Sequence, residues 1–301
     1  MREKKYAKPV MKSQKIFDTI AYPLIIMITV VCVLPFLLIL SGSFTDNNVI
    51  IREGFTLIPA NPTTAAYETI FKSSKLVLNA YKVTIIVTVS GTAIGLVLIA
   101  LTGFVLSRKE FAYRNQVSFL IYFTTIFGGG LIPYYFMMCR VLELKGTLTA
   151  QWMPGIMSPF LIILMRTFIQ SSVPDELCDA AKIDGAGQCT IFARVVLPVL
   201  KPALATIGLF LALGYWNDWY RASLFSSNES TWSLQFYLYN TVNKASAMAS
   251  IANIGNMMVT DIPSESVKMA MAILVTGPIL LVYPFVQKYF VTGITVGAVK
   301  G

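Results

Sequence analysis

The chemistry open to this chain is narrowed first by what it lacks. Its 301 residues contain no histidine, and Cys32, Cys139, Cys178 and Cys189 are scattered without a CxxC pair. Zinc or haem ligation and any histidine-dependent triad therefore have neither ligands nor base. No GxxxxGK[ST] nucleotide loop occurs, since Gly128-Gly129-Gly130 is followed by no lysine. What remains is polar but neutral. Tyr122, Thr124, Thr125, Tyr134 and Tyr135 lie along one stretch, and Tyr215, Trp216, Asn217 and Trp219 along another. Aromatic faces suit the C–H surfaces of sugars, and amides and hydroxyls suit their hydroxyl groups. On this ground Tyr122, Thr125, Tyr134, Tyr135, Trp216 and Asn217 are expected on a solute path. Trp219 and Tyr220 read instead as an interfacial aromatic belt, which does not require the neighbouring amide.

A second stretch, Pro174 to Pro202, is polar between two long apolar runs yet patterned for structure. Pro174 suits a first helical position, with Asp175 and Glu176 at the positive end of the helix. The helix is expected to reach Lys182 and to stop at Asp184-Gly185-Ala186-Gly187, where glycine tolerates bent backbone. A second short helix, Gln188 to Val196, is expected to end at Leu197-Pro198. Ala180, Ala181, Gly185 and Ala186 would let another backbone approach closely. By composition alone, such a docking knob and an ordinary helix-turn-helix loop without a partner are equally consistent.

The surrounding composition decides where these stretches sit. Hydrophobic residues make up 55% of the chain and charged residues 13%, with a mean hydropathy of +0.67. A soluble domain carries roughly a quarter charged residues, so lipid contact is implied. Net charge is +9, but the positives gather beside apolar runs, the pattern of inner lipid-facing loops rather than nucleic-acid binding. Arg2, Lys4, Lys5, Lys8, Lys12 and Lys15 form a basic arm, residues 1–15, ahead of a retained first span and on the inner side.

Six apolar runs follow: Ile16–Leu40, Val83–Leu106, Val117–Met138, Leu148–Phe168, Leu197–Trp219 and Val267–Val286. Each is about 20 residues or longer, enough to cross the hydrocarbon core. Pro23 and Pro35 are expected to kink the first. Gly91, Gly95 and Gly103 give the second a small-residue stripe for close helix packing. Gly128–Gly130 and Pro133 are expected to unwind or bend the third. Short helices around Tyr67–Leu78 are expected in the outer segment before the second span. The spans carry almost no Asp, Glu, Lys or Arg away from their ends, where a buried charge costs roughly 2.5–3.5 kcal/mol. A secondary transporter normally keeps such groups as its relay, so the energy source is expected outside this chain. The domain plan is thus an arm, a membrane domain over residues 16–290 and an inner tail over 291–301.

The polar stretch also resembles the EAA loop of ABC importer permeases. Asp179-Ala180-Ala181, Gly185 and Val195-Val196-Leu197-Pro198 keep its spacing, with Asp179 where the family usually has Glu and Val195 where it usually has Ile. Leu106-Ser107-Arg108, Met165-Arg166-Thr167-Phe168, Trp216-Asn217-x-Trp219, and Tyr283-Pro284-Phe285 through Gly297-Ala298-Val299-Lys300-Gly301 are similar to the carbohydrate-uptake branch. The resemblance covers nearly the whole chain.

It implies an all-α membrane protein with six transmembrane helices of the type I ABC importer permease fold. Residues 174–196 would be a cytoplasmic coupling loop, with Glu176, Asp179, Ala180, Ala181, Asp184, Gly185, Ala186, Leu197 and Pro198 engaging an ATPase. Asp179 has one methylene less reach than Glu. Gly297, Lys300 and Gly301 would reach between the ATPases. The implied role is the permease subunit of an importer for oligosaccharides or complex glycans in a bacterial cell membrane, with both termini cytoplasmic. Its implied partners are a second, non-identical permease, two cytoplasmic ATPases that bind ATP and Mg, and an extracytoplasmic solute-binding lipoprotein. The chain itself would be no enzyme, with no cofactor or metal of its own. A non-sugar solute, or less favourably an ATP-independent secondary transporter, is the alternative.

Overall fold

A computed structural model describes residues 12–72, 74–255 and 265–298. Among them there is no β-strand, only a single antiparallel bridge between Thr45 and Pro62. The chain divides into two compact units, Met1–Ile70 with Pro263–Ile273, and Phe71–Ile262 with Leu274–Gly301.

In the first unit, α1 (Lys12–Ser43) is one helix running through both Pro23 and Pro35. Nearly every side chain from Tyr22 to Leu37 is exposed, apolar all round, as suits a helix surrounded by lipid or other helices. Its C-terminal end is fastened to the segment that follows. The Tyr67 hydroxyl donates to Ser43 Oγ at 2.9 Å, and Gly42 leaves room for Met269 and Phe55. Two short helices, α2 (Asn47–Glu53) and α3 (Ala65–Lys72), follow. The Asp46 carboxylate caps α2 by accepting from Asn48 N–H.

The second unit is built around α4 (Ser74–Ser107), which starts earlier than the apolar run from Val83 predicts. Val77 and Ala80 are buried, so packing rather than lipid contact extends the helix at its polar end. The glycine stripe works as its spacing predicts. A Cβ on Gly91 would lie 2.6 Å from the Tyr215 ring, one on Gly95 3.1 Å from the Ile156 carbonyl, and one on Gly103 2.6 Å from Met165. Around these contacts Ile99, Leu106, Ile162, Met165 and Ile207 form a fully buried core.

The next run is not one straight helix. α5 (Arg114–Ile126) and α6 (Leu131–Phe136) meet at 110° across the triple glycine, a broken span or a re-entrant loop. Gly130 has φ +83°, open to glycine without a Cβ penalty. α6 continues as a wide π turn, Met137–Val141. α7 (Thr149–Trp152), with a tight turn at Met153–Gly155, leads at 47° into α8 (Pro159–Ser172).

After α9 (Asp175–Ile183) the chain rises again as α10 (Gln188–Thr190), a π segment Ile191–Val196 and α11 (Leu197–Val199). Leu197-Pro198 therefore lies inside this helix and does not end it. The direction changes by 84° at Leu200, before α12 (Lys201–Trp216), so the fifth apolar run carries this bend near its start. Pro198 and Pro202 each lack an N–H, and the ladder breaks between them. α13 (Tyr220–Phe225) and α14 (Leu234–Gly255) follow. α15 (Glu265–Ala298) runs through Pro278 and Pro284 and beyond residue 290, so helix and tail are not separated there.

Among the described residues three helical stretches, Phe17–Ser43, Ser74–Ser107 and Glu265–Pro284, are long and apolar enough to cross a membrane, and the three bent pairs raise the number to six if each is one span.

Candidate functional site

The helix-turn-helix after α8 is built from its sequence with little left over. Pro174 stands one place before the helix, extended at ψ 142°, and Asp175 and Glu176 occupy the first turn. At the other end the Gly185 N–H donates to the Lys182 carbonyl and the Ala186 N–H to the Ala181 carbonyl, both at 2.9 Å. With Gly185 at φ +80° this is a Schellman cap, which favours glycine at its left-handed residue and a small apolar pair across it. Ala181 and Ala186 are that pair, and both pack against the core. The spacing from Ala181 to Gly185 is thus a helix-stop geometry.

Cys178 is buried, and it turns one face of α9 inward. The opposite face is open: Glu176, Asp179, Ala180, Asp184 and Gly185 are exposed. Leu177 and Ile183 are exposed too, Ile183 to 87%. With exposed Ala180 between them, they leave apolar surface uncovered along this helix. Neither Leu177 nor Ile183 is singled out by the motif. Their signal was present in the sequence as two apolar residues at positions where a solvent-facing helix would be polar.

The loop between α4 and α5 grips this element at both ends. Lys109 Nζ lies 2.7 Å from Asp175 Oδ2. Glu110 pairs with Lys182, which also reaches Asp179 at 3.4 Å, and accepts from Gln188 Nε2 at 3.2 Å. The hydrogen bond from Lys109 holds the Asp175 carboxyl below its ordinary range, and the same bond raises Lys109. Both groups are well exposed, so solvent screens the pair. The pair persists across neutral pH. It weakens in acid as Asp175 protonates through its lowered pKa, and in base as Lys109 deprotonates through its raised one. Lys109 and Glu110 lie more than sixty residues from their partners, so no local pattern points to them.

The neutral polar residues are distributed over several places. Tyr122 and Thr125 lie exposed on α5, where the Thr125 hydroxyl donates to the Tyr122 carbonyl. Tyr134 and Tyr135 lie on α6, beyond the break, and both pack on Phe225, Tyr135 stacked at 6.2 Å and Tyr134 edge-on at 5.6 Å. Trp216 Nε1 donates to the Val275 carbonyl at 3.2 Å, and its ring packs beside Ala80 and Leu234. Trp216 also lines an apolar cavity of about 210 Å3 with Thr88, Leu213, Pro278 and Tyr283. Asn217 accepts from Gln235 Nε2 at 3.1 Å. Trp219 stacks on Tyr239 at 4.2 Å. Of the tail residues, Gly297 falls in the last turn of α15, whereas Lys300 and Gly301 lie outside the described residues.

No protein-family model matches the chain. Over 288 residues it is 36% identical to the polygalacturonan/rhamnogalacturonan transport system permease protein YtcP of Bacillus subtilis, covering 95% of this chain and 99% of that one. The chain belongs to the carbohydrate ABC transport permeases. It is also 34% identical to protein LplC of Bacillus subtilis, over 96% of this chain and 97% of the relative. The arabinooligosaccharides transport system permease protein AraQ of Halalkalibacterium halodurans is 26% identical, over 91% and 93%.

A crystal structure of a bacterial ABC transporter involved in the import of the acidic polysaccharide alginate superposes on the permease with a TM-score of 0.80 and 29% identity. The match covers 94% of the permease and all of that chain. The permease is accordingly an all-α, multi-pass membrane protein with the fold of an ABC importer permease.

Proposed function

We propose that this permease is the membrane subunit of an ATP-driven importer for oligosaccharides or complex glycans, and that α9 with its glycine turn is the part through which ATPases move it. The observation that carries the reading is the capped helix-turn-helix gripped at both ends by the α4–α5 loop, with Leu177, Ala180 and Ile183 left uncovered. A free apolar ridge on a braced support is what a docking element requires, because force applied to it reaches α4 and α5 without loss in a flexible hinge.

A second permease would complete the path, and a solute-binding lipoprotein would deliver the glycan. Two ATPases, holding ATP and Mg, would close and open beneath α9. Nucleotide binding that favours one arrangement of the spans over the other supplies the driving free energy. Asp179 would meet a basic group of the ATPase, and the tail at Gly297, Lys300 and Gly301 would lie between the two. Both termini and α9 would face the cytoplasm. Tyr122, Thr125, Tyr134, Tyr135, Trp216 and Asn217 remain the proposed solute-facing set. Acidic glycan fragments are the first candidates, because one relative is named for polygalacturonan and rhamnogalacturonan and the solved neighbour for alginate.

The test is uptake into vesicles by the assembled complex, using labelled oligogalacturonides alongside neutral oligosaccharides, with and without ATP. ATP-dependent accumulation of a glycan supports the reading. Accumulation by this chain alone, without the ATPases, would overturn it in favour of a secondary transporter. Exposed Cys189 offers a check of sidedness. An impermeant maleimide should label it in inside-out vesicles and not in right-side-out ones.

A further inference from the structure

A cavity where α4, α8 and α9 meet is used by nothing described so far. It holds about 310 Å3 and is walled by Phe104, Ser107 and Arg108 at the end of α4, Gln170 near the end of α8, and Asp175 and Cys178 at the start of α9. Arg108 raises the question of what belongs there. The residue is 9% exposed, and its Nε is buried without a hydrogen-bond partner. Its ion pair, Nη2 to Glu110, is long at 3.4 Å, and its guanidinium lies over the Phe104 ring. A buried cation needs an anion or a full set of hydrogen bonds to offset the loss of water.

The carboxylates nearby do not meet that need. Glu110 is shared among Arg108, Lys182 and Gln188. Asp175, on the wall itself, is taken by Lys109, while Arg108 and Arg114 also act on it. Glu176 is exposed and acts on Lys109 only through space. On the wall itself two cations, Arg108 and Lys109, stand against one carboxylate, Asp175.

We infer that this cavity is a binding site for a phosphate ester, whose oxygens the Arg108 guanidinium would take. The planar fork of arginine matches phosphate oxygens better than a point charge does. The cavity also lies where the apolar stretch of α4 ends, at Ser107. That is the level at which basic pockets between membrane helices meet phosphate headgroups. Phe104 and Cys178 give it an apolar side for the carbon stem of an ester. An anionic lipid headgroup and a soluble phosphorylated metabolite offer the same group, and the experiment separates them. Because α9 forms part of the wall, an occupant braces α9 against α4. This consequence rests on the coupling role proposed above, whereas the binding itself does not.

The test uses the complete importer in nanodiscs of phosphatidylcholine, with or without phosphatidylglycerol, and with glycerol 3-phosphate or inorganic phosphate added to the phosphatidylcholine discs. Native mass spectrometry reads retained ligand, and the ratio of ATPase rates with and without the anionic probe reads the effect on α9. Retention of phosphatidylglycerol identifies the lipid as the source, and uptake of glycerol 3-phosphate or inorganic phosphate identifies the soluble one. Arg108→Gln should weaken retention about fivefold or more, the low end of a ligand-coupling effect. Arg108→Lys, which keeps the charge but not the fork, should fall between and serves if the glutamine variant does not assemble. Retention of none of the three probes by the unmodified complex, or retention by both variants equal to that of the unmodified complex, overturns the site. Retention without any change in the ATPase ratio supports the site and overturns its link to α9.

Discussion

Gly185 separates two reasons for a glycine, and a pair of substitutions can tell them apart. At φ +80° an ordinary L-residue costs roughly 1–2 kcal/mol, whereas asparagine visits this region with far less strain. A Cβ placed there meets nothing within 4 Å, so the Cβ of either alanine or asparagine is free of clashes within the chain. The Gly185→Ala variant therefore tests the backbone, opening the cap about five- to thirtyfold more often. The Gly185→Asn variant keeps the backbone but places a carboxamide on the exposed face. If an ATPase packs against that face, the extra atoms cost about 1–3 kcal/mol of overpacking, or roughly five- to 150-fold in docking. The assay is uptake per ATP hydrolysed in proteoliposomes, normalised to inserted protein. Both variants should insert normally, with asparagine the more damaging. Near-normal coupling by Gly185→Asn beside impaired Gly185→Ala would refute close docking and leave the glycine with a helix-capping role alone.

Glu110→Lys should uncouple ATP hydrolysis from uptake and, because it also strips buried Arg108 of its ion-pair partner, should lower stability by more than the roughly 1 kcal/mol of an exposed pair. Adding Lys182→Glu should restore part of the coupling but not all, because Arg108 and Gln188 also use Glu110. Lack of any rescue in the double variant counts against the clasp. Gly91→Ala should lower thermal stability in detergent by about 1–3 kcal/mol, because the Tyr215 ring in its way is held by a 2.9 Å hydrogen bond to the Trp152 carbonyl. Gly103→Ala should cost at least as much, since Met165 Cγ and Cβ and the Arg166 backbone nitrogen stand in its way and Met165 is fully buried; a clearly smaller melting shift would contradict this. Trp216→Phe removes one hydrogen bond and should cost about 1 kcal/mol. Unchanged stability with reduced uptake would place the indole N–H on the solute path instead.

Much of the helix-turn-helix after α8 was legible because its determinants are local. Asp175 and Glu176 at a helix start and Ala181, Gly185 and Ala186 around a helix stop act within a few residues, and the cap forms where their order puts it. Hydropathy likewise located the apolar runs, and the glycine spacing of α4 announced a close contact without naming the partner. The boundaries were less legible. Ser74 to Lys82 joins α4 because Val77 and Ala80 are buried by other segments, and nothing within the run signals that burial. Leu197-Pro198 read as a stop because proline removes a donor, yet a π turn before it carried the helix on to a sharper bend at Leu200.

The sequence by itself determined the chemical class of the protein, a lipid-facing helical chain without a histidine or nucleotide loop, and the position of the polar helix-turn-helix after α8. It did so because composition and turn chemistry are properties of neighbouring residues. Only the tertiary structure decided that Lys109 and Glu110 clasp that element, that Ile183 stands free on it, and that Arg108 is buried beside a cavity with too little counter-charge. Each of these depends on which distant segments share a volume, and that follows from how the helices pack.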